Sequence, residues 1–227
     1  LLSALYAVMG NLYANKGDME KARGLYIKAI KHKTKRSAVY LVYAKMLLEE
    51  GSVEEALSLL QMGMGFKHGI LVDKILFVTI AGAHLIGGDV DDAVKTMLEM
   101  KAKYDYINAD ALTMLGYLYL LKEDYENAML YTQQAIEDSP SFAVAHGNAG
   151  QIYFCLNEIE KAKEAFEKAI SLQPEIPGSL YYLGIIAEKE NNKELASKCF
   201  KMAHYCKISK LNTVTREQVD EKYEQYN

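Results

Sequence analysis

Apolar positions recur along this chain with two superposed periods. The short one is helical: Ala22 and Tyr26, Ala162 and Phe166, and Ala196 and Phe200 stand four residues apart, so each pair shares one helix face. The long one is marked by alanine, at Ala22, Ala56, Ala93, Ala128, Ala162 and Ala196, with intervals of 34, 37, 35, 34 and 34 residues. A fixed period in this range predicts stacked helical units, each too small to bury its apolar face alone.

Upstream of every alanine the pattern predicts a first helix with a small residue near its middle: Gly10, Ala44, Ala81, Gly116, Gly150 and Gly184. Glycine inside a helix costs about 1 kcal/mol against alanine. Four glycines in one register therefore predict close approach of a second helix. That helix carries a larger residue four positions after its alanine: Tyr26, Leu60, Met97, Thr132, Phe166 or Phe200. Between paired helices the chain reads KGD, EGS, GGD, KED, LNE and ENN, in which glycine or asparagine closes one helix and Asp, Ser or Asn caps the next. Pro140 and Pro174 end the fourth and fifth units.

These residues resemble the tetratricopeptide repeat family, in which small residues mark where two helices touch, tyrosine follows three positions later, alanine opens the second helix and proline ends the unit. The resemblance implies an all-α fold, a right-handed superhelical solenoid of stacked antiparallel helix pairs, as one domain over 1–227. The units fall at about 3–36, 37–70, 74–107, 109–142, 143–176 and 177–210. Units two and three fit least, since Gly63 and Met100 replace the late alanine and neither ends in proline. Three extra residues between them, in the glycine-rich QMGMGFKHGILVD, predict an irregular connection over 61–73 and a joint between halves. A capping helix is expected over about 214–226, opened by a capping box of Thr215 and Gln218, with Val214, Val219 and Tyr223 facing inward.

Composition narrows the chemistry. The chain has 227 residues, half of them apolar, and only 3 prolines, which suits helices with a substantial core. A net charge of -4 gives no reason to expect nucleic acid. The basic run KHKTKR, residues 31–36, reads as a solvated helix end. Cys155, Cys199 and Cys206 have no framework spacing and read as buried, reduced thiols in the reducing compartment of a cytoplasmic protein. No apolar run reaches the roughly 18–20 residues that span a bilayer. The helical pattern is already under way at Leu1, so a membrane attachment would have to come from a removed N-terminal anchor.

No GxxxxGK[ST], HExxH, CxxC or GxSxG sequence occurs, and the five histidines lack partners at metal or catalytic spacing. Cys199, His204 and Cys206 lack a third ligand cluster. GGDVDD, residues 87–92, reads as a helix cap rather than a calcium loop. The expectation is no catalytic residue, no metal and no cofactor.

The family resemblance implies a concave groove lined by the first helices, where peptides or helices bind. Its aliphatic floor here would be Leu41, Val78, Leu85 and Met114. Tyr117, Phe154, Tyr181 and Tyr182 would be aromatic anchors, with Lys45, Asn148 and Gln151 among the polar positions. Members that grip acidic EEVD-type tails use two Lys, two Asn and an Arg. The matching positions in the first three units hold Ala7, Asn11, Val42, Ile75 and Thr79, of which only Asn11 agrees. The expected role is a non-enzymatic scaffold for an apolar peptide or amphipathic helix, not an acidic tail. Two alternatives stand beside it: a membrane-tethered assembly factor similar to the pilotin lipoproteins, and a self-associating protein whose groove is filled by a second copy.

Overall fold

The computed structural model describes residues 1–209 and 211–226, among which there are thirteen α-helices and no strand. Positions 210 and 227, the expected ends of the last repeat and of the domain, lie outside the described residues. The chain forms two compact units, Leu1–Lys103 and Tyr104–Asn227. The first holds α1 (Leu2–Asn15), α2 (Met19–Lys31), α3 (Ser37–Glu50), α4 (Val53–Met64), α5 (Ile70–Ile86) and α6 (Val90–Lys103). The second holds α7 (Ala109–Leu121), α8 (Tyr125–Asp138), α9 (Ala143–Cys155), α10 (Ile159–Leu172), α11 (Pro177–Lys189), α12 (Lys193–Tyr205) and α13 (Arg216–Tyr226). Each odd-numbered helix from α1 to α11 packs most closely on the even-numbered helix after it, giving three antiparallel pairs per unit.

Small-on-large packing holds each pair. A methyl group on Gly10 would stand 2.6 Å from the Tyr26 ring, and one on Gly150 or Gly184 would meet Phe166 or Phe200 equally closely. At Gly116 it would collide with the Thr132 hydroxyl. Ala44 with Leu60, and Ala81 with Met97, fill the same places in the second and third pairs and are fully buried. Burying a large apolar side chain contributes about 1.5–3 kcal/mol, which outweighs the roughly 1 kcal/mol cost of a helical glycine. The six alanines that set the period are fully buried as well.

The turns follow one geometry. The middle residue of every three-residue turn has a left-handed backbone: Gly17, Gly51 and Gly88 with φ of 79°, 85° and 86°, and Glu123, Asn157 and Asn191 with φ of 58°, 62° and 60°. Glycine enters this region without steric cost and asparagine at little cost, while glutamate is strained there. Asp18, Asp124 and Asn192 then accept hydrogen bonds from the backbone N–H groups of Lys21, Asn127 and Leu195.

The connection expected over 61–73 shortens to 65–69, since α4 continues to Met64 and α5 opens at Ile70. It is pinned. His68 lies 2.9 Å from the Ser37 hydroxyl through Nδ1 and 2.7 Å from Asp73 through Nε2. Lys103 donates to the other Asp73 oxygen at 2.5 Å. The carboxylate can only accept, so His68 Nε2 donates to Asp73. Phe66 packs its ring 5.2 Å from that of Tyr40. The division between compact units falls at Lys103 and Tyr104 and not at this connection. Phe66 and His68 anchor the extra residues instead of leaving them slack.

At the other end, the capping box forms reciprocally: Thr215 N–H donates to Gln218 Oε1 at 2.8 Å, and Gln218 N–H to Thr215 Oγ1 at 3.2 Å. Val214 and Val219 are buried, and Tyr223 is half-buried and stacks on His204 at 4.0 Å. Arg216 donates to the carbonyls of His204 and Cys206, satisfying orphan acceptors at the C-terminus of α12. Glu188 of α11 takes Lys222 at 2.7 Å and the Tyr226 hydroxyl at 3.1 Å, and Lys222 holds its carboxyl below the usual range.

Candidate interaction groove

In the second unit, side chains of three first helices converge on one cavity of about 390 Å³. Helix α7 contributes Asp110, Thr113, Met114 and Tyr117, and α9 contributes Val144, Gly147, Asn148 and Gln151. Both sets are spaced i, i+3, i+4, i+7, so each is one helix face. Pro177, Gly178 and Ser179 come from the start of α11, and Gln173, Glu175 and Ile176 from the connection before it. The last wall is the chain between α12 and α13, with Lys207, Leu211, Asn212 and Thr213. Thr213 lies so close to Gly178 that any side chain there would collide with its hydroxyl.

The lining has two characters. Met114, Tyr117, Phe142, Val144, Ile176 and Leu211 are apolar or aromatic. Thr113, Asn148, Gln151 and Ser179 are polar and buried. Asn148 donates through Nδ2 to the Thr113 carbonyl at 3.0 Å, which ties α9 to α7 and leaves its Oδ1 as an acceptor. The hydroxyls of Thr113 and Ser179 are buried without a protein partner. Burial also pushes the Tyr117 hydroxyl above its usual pKa.

The expected groove residues divide. Met114, Tyr117, Asn148 and Gln151 come together around this cavity. Phe154, Tyr181 and Tyr182 do not line it. Phe154 and Tyr182 meet at 5.2 Å, Tyr182 stacks on Phe166 at 5.8 Å, and Tyr181 meets Phe200 at 6.0 Å. The rings of Phe154 and Tyr182 are held between neighbouring repeats and that of Tyr181 within its own helix pair, and burial pushes the Tyr182 hydroxyl up to about 12. In the first unit Leu41 is buried in the core, Val78 and Leu85 are half-buried, and Lys45 is exposed. Asn11 accepts from the Tyr26 hydroxyl at 2.9 Å, so it braces its own helix pair.

The walls from Gln173, Glu175 and Ile176 and from Lys207, Leu211, Asn212 and Thr213 had no sequence signal. They lie between helices, outside the repeat register, and the second set reaches the cavity only through the return of the chain after α12.

Two other clusters considered from sequence are also placed. Cys199 is buried, with its thiol pushed up to about 11 by desolvation, while Cys206, also buried, donates to the Met202 carbonyl at 3.3 Å and His204 pairs with Asp220 at 2.8 Å; Cys155, against expectation, is exposed at the end of α9. Asp89 caps α6 by accepting from Asp92 N–H at 3.0 Å, and its carboxylate lies near His84 and Asp92.

Comparison with known proteins agrees with the geometry. Sequence models of the tetratricopeptide repeat match residues 8–63, 109–141 and 143–176. Tetratricopeptide repeat protein 37 of Xenopus laevis is 29% identical over 127 residues, which are 53% of this chain and 8% of that protein. The chain therefore spans a small part of that relative. A chain of the APC/C hetero-tetramer Cut9–Hcn1 superposes with a TM-score of 0.75 at 15% identity, covering 99% of this chain and 42% of that one. YrrB, described as a TPR protein with an unusual peptide-binding site, gives 0.51 at 19% identity, covering 78% and 90%. At these identities the structural likeness is one of fold.

Proposed function

Because the chain belongs to the tetratricopeptide repeat family, we propose that it is a non-enzymatic protein-interaction scaffold whose second unit receives an amphipathic polypeptide segment. The observation that carries this reading is the two-sided lining of the cavity. An apolar stripe on the segment fits Met114, Tyr117, Val144 and Ile176. Polar groups on it fit Gln151, the Asn148 carbonyl and the hydroxyls of Thr113 and Ser179, which are costly to leave unpaired once water is excluded. The charged groups of the lining are Asp110, Glu175 and Lys207, a balance that does not favour an acidic tail. YrrB offers a parallel, in that a repeat stack of this fold carries a peptide-binding site.

The test uses peptides selected from a random display library on the intact chain, synthesised and titrated by calorimetry. Tyr117→Ala should weaken the selected peptide by about thirtyfold, the effect of an aromatic hot spot worth about 2 kcal/mol. Gln151→Ala should weaken it as well, and Tyr205→Ala, at an exposed site outside the cavity, should leave it unchanged. Circular dichroism checks that each variant keeps its helicity. Equal affinity of the Tyr117 and Gln151 variants and the parent rejects this site. Tight binding of an EEVD-ended peptide rejects the proposed ligand chemistry.

A further inference from the structure

Helix α1 presents a face that other repeats keep covered. Positions can be counted from the small residue that meets the second helix: Gly10 in α1, Ala44 in α3, Ala81 in α5, Gly150 in α9 and Gly184 in α11. Five before, one before and two after that residue stand Val39, Tyr43 and Met46 in α3, and Ser179, Leu183 and Ile186 in α11. These six and their counterparts in α5 and α9 are at most 9% exposed, because the preceding pair of the same unit packs on them. The counterparts in α1 are Leu5, Met9 and Leu12, exposed by 53%, 36% and 55%. Leu2 and Val8 widen the same open surface.

Three large apolar side chains at this register suit a covered face, as Val39, Tyr43 and Met46 do in α3. A repeat that ends a stack carries a polar outer face there. The far end of the chain shows the difference. There α13 packs on α12 and buries Val214 and Val219, and its outer side is largely polar. A second copy therefore has no bare helix pair at that end to stack onto α1.

We propose that α1 docks a further antiparallel helix pair of the same repeat kind, carried ahead of it on the same polypeptide. The interface continues the one between α2 and α3: small and large apolar residues of the added second helix would close over Leu5, Met9 and Leu12. This inference is independent of the peptide reading of the second unit.

Hydrogen exchange of the α1 amides tests it, comparing residues 1–227 with the same polypeptide extended by the residues its own gene encodes ahead of Leu1. In the extended chain α1 should exchange at least tenfold more slowly. The double substitution Leu5→Lys and Leu12→Lys should abolish that slowing, while leaving α1 exchange and the unfolding midpoint of 1–227 unchanged. Equal α1 exchange in the two chains overturns the proposal, as does an upstream sequence with no helix pair. A dimer of 1–227 that protects α1 and that the double substitution dissolves assigns the face to a second copy and overturns it too.

Discussion

Glycines at Gly24 and Gly150 both sit inside helices, yet their environments call for opposite responses to the same substitution. Gly24 in α2 has open space where a side chain would go, whereas Gly150 lies under the Phe166 ring. Gly24→Ala should therefore stabilise the protein by about 0.5–1 kcal/mol, the helix-propensity difference alone. Gly150→Ala should cost about 1–3 kcal/mol through overpacking. Urea denaturation of the two variants checks the pair, and stabilisation by both would refute the close-approach account. Among the turns within helix pairs, Glu123 is the one middle residue that is neither glycine nor asparagine at positive φ. Glu123→Asn should raise the urea midpoint by the equivalent of about 0.5–1 kcal/mol, since part of the left-handed strain is relieved. The small-on-large register was legible in sequence because it depends on i,i+4 spacing and a repeated period. The strain at Glu123 was not, because KED reads as an ordinary polar turn until the backbone angle is known.

Among the elements, the connection between α4 and α5 and the terminal helix α13 each depend on a polar cluster. Removing the His68 ring leaves Ser37 and Asp73 buried with a partner lost. His68→Ala should destabilise the first unit by about 1–3 kcal/mol and speed amide exchange in α3 and α5. Exchange unchanged in those helices would show that the cluster does not hold the connection. Helix α13 carries a pH signature. Its Lys222, and secondarily Tyr226, holds the Glu188 carboxyl below its ordinary value. A depressed folded pKa means the contribution is present in full above the unfolded value, about 4.3 for glutamate. It is lost as pH falls through the lower folded value. Exchange at α13 should rise over that acid range, and Glu188→Gln should flatten the rise. A profile unchanged by Glu188→Gln would assign the loosening to other carboxylates. The capping box of this helix was readable from Thr215 and Gln218. The ring stack of Tyr223 on His204 was not, since it joins residues of two elements.

For the whole molecule, nearest-neighbour stacking within each unit sets how damage spreads. Loss of exchange protection in Gly150→Ala should be greatest in α9 and α10 and fall off along the second unit, and uniform loss across that unit would point to all-or-none unfolding instead. The six repeats, their register and their turns were determined by the sequence alone, because each depends on residues a few positions apart or on a regular period. Tertiary structure decided which first-helix side chains stay open. Stacking neighbours absorb Phe154 and Tyr182 into ring contacts, Tyr181 meets Phe200 of its own pair, and the chain after α12 folds back to wall Tyr117, Asn148 and Gln151 into a cavity. Exposure depends on which distant segment arrives to cover a residue, and no local pattern encodes that arrival. For the same reason Leu5, Met9 and Leu12 read like any other repeat in sequence, and only the packed structure shows that they stand open among the described residues.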